Sequence, residues 1–347
     1  MLESLFRLVH KYFFQCIILS YAIAGFLPQL GLWIRQVEFG NFIFIDGSSI
    51  KVALPVLMLS ILLLNAGLGI QKSEIGNLVK SPKILILGLS ANLIIPIGFT
   101  FVVSLLMRLW HNPDEVQNIL VGLALIASMP IAASSTAWAQ KSNGNLALSL
   151  SLVVFSTLLS PVTTPLGLHS IGFMAEGDYA EDLHEIAENG TGAFLFISVL
   201  LPTALGVFLQ FAMPEIAHKA IKKPIKDINL INLLLLNYAN ASIVLPQIFV
   251  NPDWDFLAAI AIITSSLCVF AFFSGSLIAS LQNSSLSEKT SLMFGLGMNN
   301  NGTGLVLASL SLSDHPKIML PIICYNLIQH IVAGLVDSKL VRIENSQ

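Results

Sequence analysis

The 347-residue chain is 55% hydrophobic and only 11% charged, with a formal net charge of -3. A soluble globular domain carries about 25% charged residues, so this composition excludes an ordinary water-soluble fold and makes lipid the expected solvent. No basic stripe stands free of the membrane-flanking loops, which sets nucleic acid aside as a partner.

A hydrocarbon core of about 30 Å takes roughly 20 apolar residues per helical span, and the charges leave about ten such runs. They cover residues 12 to 34, 52 to 70, 84 to 107, 117 to 140, 146 to 168, 191 to 213, 228 to 250, 256 to 281, 288 to 310 and 317 to 337. These runs are too long for barrel strands and lack period-2 alternation, so they predict an all-α polytopic membrane protein in contact with lipid. Ahead of the first span, Arg7 and Lys11 resemble a signal-peptide start and Ala22-Ile23-Ala24 imitates a cleavage site. The apolar stretch nevertheless continues to Ile34, which predicts a retained first helix. Cys16, Cys268 and Cys324 lie in separate apolar runs and read as small core residues, not as a disulfide or zinc framework.

Lysine and arginine fall unequally on the two sides of these spans. Arg7, Lys11, Lys72, Lys80, Lys83, Lys141, Lys219, Lys222, Lys223, Lys226, Lys289, Lys339 and Arg342 share one side; Arg35, Lys51, Arg108 and Lys317 share the other. The richer side is expected to be cytoplasmic, with both termini inside and the protein in the cell inner membrane. The acidic connection 169–190 carries Glu176, Asp178, Glu181, Asp182, Glu185 and Glu188, and reads as a solvated external helix. It separates a five-span repeat over 1–168 from a second over 191–340, and an odd number of spans makes any such repeat inverted.

Polar groups inside the spans mark the chemistry, because each is costly in lipid. The fourth span contains Pro130 followed by Ser134, Ser135 and Thr136, where proline removes a helical hydrogen bond. The ninth contains Gly295-Leu296-Gly297-Met298-Asn299-Asn300-Asn301-Gly302-Thr303-Gly304, whose four glycines and three asparagines are poor mid-helix residues. Both interruptions occupy the fourth position of their five-span half. Matched broken helices in an inverted repeat create a midplane site, with helix N-termini for anions and free carbonyls for cations. Kinking and polar helix contacts are the plainer reading of either motif alone. His330 is the central histidine of the tenth span, read as a packing residue or a proton acceptor, with Asn326 and Gln329 beside it. No His-Glu-x-x-His run and no intramembrane aspartate pair is found, so no enzyme and no organic cofactor is expected.

These motifs resemble those of the bile acid:sodium symporter family. The resemblance rests on Asn65-Ala66-Gly67-Leu68 with Lys80-Ser81-Pro82, on Pro130 to Ser135 with Gly144-Asn145 and Ala147-Leu148-Ser149, and on Gly297-Met298-Asn299-Asn300-Asn301-Gly302. It implies a core domain of spans 3–5 and 8–10, a panel of spans 1, 2, 6 and 7, and broken fourth and ninth helices that cross. It also implies a sodium-coupled carrier of steroids, keto acids or vitamin precursors. Candidate cation ligands are Ser135, Thr136, Ser149, Asn299, Asn92 and the carbonyls of Leu296 and Met298. Ser134, Asn300, Asn301, Thr303 and His330 are candidates for a small organic carboxylate. The chain departs from the family where Gly295 replaces a sodium-binding glutamate and Val153 a polar ligand. Three readings therefore stand: sodium-coupled uptake, a cation-independent facilitator or exporter, and a sensor that binds without transporting. The seventh span adds Asn237, Asn240, Ser242 and Gln247 as a partly polar wall.

Overall fold

The structure is a computed structural model that describes residues 6, 8, 9, 12–43, 49–70, 82–188 and 191–344. Arg7, Lys11, Lys72, Lys80 and Ser81, which entered the charge count and the second-span motif, lie outside the described residues. In chain order the elements begin with α1 Phe13–Phe26, α2 Gln29–Gln36, β1 Glu38–Ile43, β2 Ser49–Ala53 and α3 Leu54–Leu68. There follow α4 Pro82–Met107, α5 Pro113–Ser128, α6 Ser134–Lys141, α7 Leu146–Gly172 and α8 Asp178–Glu188. After them come α9 Thr191–Ala212, α10 Glu215–Ala241, α11 Leu245–Val250, α12 Trp254–Leu281, α13 Leu286–Gly297, α14 Asn301–Ser311 and α15 Met319–Glu344.

Among the described residues α4, α7, α9, α12 and the run Pro316–Leu340 are each long and apolar enough to cross a bilayer. The chain is therefore a multi-pass helical membrane protein. The run expected as one straight first span is two helices, α1 and α2, bent by 91°. Pro28 explains the bend: it offers no N–H and pushes Leu27 out of the helical region, to φ -132° and ψ 68°. The expected seventh span is likewise two pieces, with α10 starting early at Glu215 and giving way at Ser242 to α11, whose second residue is Pro246.

One feature departs from the all-helical expectation. β1 and β2 pair antiparallel, with Glu38 opposite Ala53 and Asn41 opposite Lys51. Aromatic and β-branched residues favour this pairing. The register slips between Glu38 and Asn41, at Gly40, whose φ of 121° is a bulge geometry that a side chain resists.

The chain divides into two compact units, Met1–Ile70 with Ala193–Asp253 and Gln71–Gly192 with Trp254–Gln347. In the first, α3 and α9 approach backbone to backbone, since a β-carbon on Gly67 would strike Thr203 and one on Gly206 would strike Leu64. Several of its polar side chains find partners within the unit. Arg35 Nη1 donates to Asn240 Oδ1 at 3.1 Å, Asn232 Nδ2 to the Met58 carbonyl at 2.7 Å, and the Tyr238 hydroxyl to the Leu27 carbonyl at the bend.

In the second unit the acidic helix α8 is amphipathic and docked, not freely solvated as its charge had implied. Tyr179, Leu183 and Ile186 are buried along one face. The Tyr179 hydroxyl donates to Asp114 Oδ1 at 2.6 Å and accepts from Asn118 Nδ2 at 3.1 Å, both near the start of α5. His184 Nδ1 lies 2.8 Å from His169 Nδ1 on α7.

Candidate functional site

The second unit contains both interrupted helices. α5 ends at Ser128 because Pro130 follows, which leaves Met129 extended at φ -77° and ψ 147°. α13 ends at Gly297, with Met298 extended at φ -127° and ψ 105°. The two extended segments pair. Ala132 donates its backbone N–H to the Met298 carbonyl at 2.9 Å, and Asn300 donates to the Pro130 carbonyl at 2.8 Å, so that Ile131 and Asn299 form an isolated antiparallel bridge. The ends of α5 and α13 and the starts of α6 and α14 therefore all fall within a few residues of one main-chain junction. Such a junction combines partial positive charge from helix N-termini with partial negative charge from C-termini.

Buried backbone groups freed by the breaks find partners, as burial demands. Asn299 Nδ2 donates to the Ile126 carbonyl at 2.9 Å, and Thr164 Oγ1 donates to that of Ser128 at 2.6 Å. Ser156 Oγ accepts the Ile131 N–H at 3.1 Å, and the Tyr325 hydroxyl donates to the Gly297 carbonyl at 3.2 Å. Gln329 on α15 is the hub. Its Oε1 accepts both the Asn299 backbone N–H at 3.1 Å and Asn301 Nδ2 at 3.0 Å, while its Nε2 donates to Asn326 Oδ1 at 3.2 Å.

Several buried oxygens at this junction have no hydrogen-bond partner among the described residues: Asn299 Oδ1, Asn301 Oδ1, Thr303 Oγ1, Ser135 Oγ and Ser128 Oγ. An orphaned polar group costs about 1–3 kcal/mol, so such oxygens on the segments that meet here are candidate ligands. The two amide oxygens are acceptors only and suit a cation or a ligand hydroxyl.

Of the residues expected at the site, Asn299 and Asn301 meet through Gln329. Ser149 Oγ donates to Thr136 Oγ1 at 3.3 Å, which joins the fifth span to the second half of the fourth. Asn300 caps α14, accepting the Thr303 N–H at 3.4 Å. Met298 offers its carbonyl to Ala132, whereas Leu296 is buried in the last turn of α13. Ser134 is half-buried at the start of α6, and His330 is half-buried one residue beyond Gln329. Asn92 sits buried on α4, Oδ1 unpartnered, with no hydrogen bond to the junction. Gly295 faces hydrocarbon: a β-carbon there would lie 3.0 Å from Leu152 Cδ1 and 4.0 Å from Ile131 Cδ1.

Gln329, Ser156, Thr164 and Tyr325 were not singled out by the sequence as parts of this junction. Ser156, Ser160 and Thr164 recur every four residues on α7, and that hydroxyl stripe was the available signal.

Residues 56–251 match the family model described as the Sodium Bile acid symporter family. The chain belongs to this family. The match covers the fourth-span break and both flanking helices, and it ends before α13, so the ninth-span break stands on the geometry above. Among curated proteins, YbaS of Bacillus subtilis (strain 168), an uncharacterized protein, is 27% identical over 226 residues, covering 65% of this chain and 70% of YbaS. YocS of the same organism, named as an uncharacterized sodium-dependent transporter, is 23% identical over 299 residues, covering 84% of this chain and 80% of YocS. Membership in the sodium bile acid symporter family makes the chain a membrane transporter.

Proposed function

We infer that this transporter carries a small organic anion by secondary active transport, alternating access around the junction of the two broken helices, with sodium as the coupling ion. One observation carries the reading: two helices interrupted in mid-span are joined by a pair of main-chain hydrogen bonds and surrounded by buried oxygens without partners. Discontinuous helices of this kind are where secondary transporters place substrate and ion. Neutral oxygens from Ser135, Thr136, Ser149, Asn299 and Asn92, with the carbonyls of Leu296 and Met298, would supply the ion's shell. Ser134, Asn300, Asn301, Thr303 and His330 would face the carboxylate. The same reading keeps ten spans as two inverted five-helix repeats, core and panel groups of helices, both termini cytoplasmic, and an inner-membrane location.

Uptake into proteoliposomes tests it, with a labelled keto acid and a labelled bile acid as probes. Saturable uptake driven by an inward sodium gradient is expected, and at least tenfold slower uptake in the Asn299→Ala, Asn300→Ala double variant. Unaltered uptake in that variant would remove the junction from the transport path.

A second reading, a cation-independent facilitator or exporter, is favoured by one observation: the ligand positions Gly295 and Val153 lie against leucine and isoleucine side chains. The same assay separates the two, because a facilitator moves the anion at a rate indifferent to the sodium gradient. Nothing in the geometry favours a non-transporting sensor.

A further inference from the structure

Away from the junction, at the end of the second unit where α8 docks, His111 Nε2 lies 3.2 Å from Asp255 Oδ2. One ligand atom from each of His111, Glu115 and Asp255 lies within 4.8 Å of the other two. The His111 and Asp255 side chains are 63% and 56% exposed, so an ion can reach them from water. Glu115 is different, with only 2% of its surface exposed. Its Oε2 accepts the Trp110 Nε1–H at 2.7 Å and its Oε1 accepts Asn112 Nδ2 at 2.7 Å.

Both of those donors are neutral, and among the described residues no lysine or arginine pairs with Glu115. Burial of a carboxylate without a positive partner is strongly unfavourable. The start of α5 supplies part of the compensation through its dipole, and Asp114 beside it draws on the same field. Each Glu115 oxygen keeps a lone pair after accepting one hydrogen bond. The buried carboxylate of Glu115, held still by two neutral donors and compensated only in part, thus stands beside an exposed imidazole and a second carboxylate.

We propose that His111, Glu115 and Asp255 bind a divalent transition-metal ion of the zinc class, tying the start of α5 to the start of α12 and leaving a fourth position for water. The 3.2 Å separation of His111 Nε2 and Asp255 Oδ2 is close to the edge of a tetrahedron, about 3.3 Å for metal–ligand bonds near 2.0–2.1 Å. One imidazole with two carboxylates selects this class over calcium or magnesium, which prefer six or more oxygens. Trp110 and Asn112 play the part of groups that orient a ligating carboxylate from behind.

The purified full-length protein in detergent is stripped with a chelator and titrated with Zn²⁺ against a chromophoric competitor, with Mg²⁺ and Ca²⁺ as controls. One saturable zinc equivalent with micromolar or tighter affinity is expected, together with a zinc-specific rise in thermal midpoint. Asp255→Asn and His111→Ala, both at exposed positions, should weaken binding at least tenfold while the metal-free midpoint stays that of wild type. Trp110→Phe, which leaves every ligand in place, should weaken it about tenfold through loss of the Glu115 donor. The proposal is overturned if no saturable zinc equivalent appears, if binding survives Asp255→Asn and His111→Ala, or if it is abolished by His169→Ala instead, which would place the ion on the His169–His184 pair.

Discussion

Leu152 Cδ1 lies 3.0 Å from the position a β-carbon on Gly295 would take. Leu152 is itself fully buried in a cluster with Ile131, Leu148, Leu292, Ile84, Leu85 and Ala279, against which Val153 also packs. The fourth, fifth and ninth spans therefore meet through hydrocarbon at the place where the family resemblance expects a carboxylate. Gly295→Glu should lower stability by about 1–3 kcal/mol, because added bulk in a filled core forces strain. Desolvation of the carboxylate adds to that cost. Leu152→Ala in the same chain should restore part of the loss, as contacting positions are not additive. Thermal unfolding of the three variants in detergent measures this, and a Gly295→Glu protein as stable as wild type would show that polar space already exists there.

Gln329 holds the junction from α15, and its Oε1 is the acceptor for two donors at once. Gln329→Leu keeps the volume and leaves the Asn299 N–H and Asn301 Nδ2 buried without an acceptor, at about 1–3 kcal/mol each. A substantially lower thermal midpoint and loss of anion uptake are expected together. If uptake falls while the midpoint stays put, Gln329 acts on the substrate and not on the backbone pair.

The breaks that follow α5 and α13 were legible because their causes are local: Pro130 withholds an N–H, and glycine and asparagine, low in helix propensity, fill five of the six positions from Gly297 to Gly302. Their pairing was legible only through their matching positions in the two halves, since no short-range pattern states that Pro130 accepts from Asn300. Gln329 was harder still. Asn299 and Asn301, the partners of its Oε1, lie about thirty residues away at the other break, and glutamine on a partly polar helix face looks the same whether it lines a cavity or holds a backbone. Pro28 is the local cause of the 91° bend, but an apolar run of bilayer length from 12 to 34 reads as one helix, because such a run contains a proline without breaking often enough. The β1–β2 ribbon was hidden for the opposite reason: two strands of five or six residues between spans are too short to register beside helices.

On the charged end of α15, Lys141 Nζ lies 2.9 Å from Asp337 Oδ2, and Ser142 Oγ donates to Asp337 Oδ1 at 2.7 Å. Lys141 is 63% exposed and Asp337 11%, so the lysine is screened by water and the aspartate is not. Asp337→Ala, which breaks both contacts, should cost about 1–2 kcal/mol, and Lys141→Ala no more than about 1. Equal losses from the two variants would mean that the Ser142 bond contributes nothing.

Tyr179 anchors α8 to the start of α5, and its hydroxyl titrates well above the usual tyrosine range, chiefly through burial and then through the hydrogen bond and charge of Asp114. A group whose folded value is raised contributes stability fully below its unfolded value, near 10, and loses it only as pH climbs through the higher folded value. Docking of α8 should therefore be indifferent to this hydroxyl between pH 7 and about 9. Tyr179→Phe removes the donor to Asp114, at about 1.5–3 kcal/mol for a bond to a charged acceptor. Limited proteolysis within residues 172–190 should be faster in the variant at every pH in that range. A wild-type cleavage rate that rises steeply from pH 7 to 9 would assign the docking to another titrating group.

The sodium coupling proposed above would draw on Thr136 and Ser149, whose hydroxyls are 3.3 Å apart and which join α6 to α7 beside the junction. An ion that binds only the folded protein raises stability by mass action, about 1.4 kcal/mol at ten times its dissociation constant, whatever the transported anion is. Sodium should therefore raise the thermal midpoint of the purified protein saturably, and potassium at the same ionic strength should not. Thr136→Ala removes one oxygen and frees the Ser149 donor, so the midpoint should become much less responsive to sodium than that of wild type, even where the sodium-free midpoints agree. Lithium, smaller but equally hard, should fall between the two ions if neutral oxygens form the shell. A response identical for sodium and potassium in a folded protein would instead mean that the hydrocarbon around Gly295 has replaced the ion site, and it would direct the search for substrate to sodium-free exchange of anions.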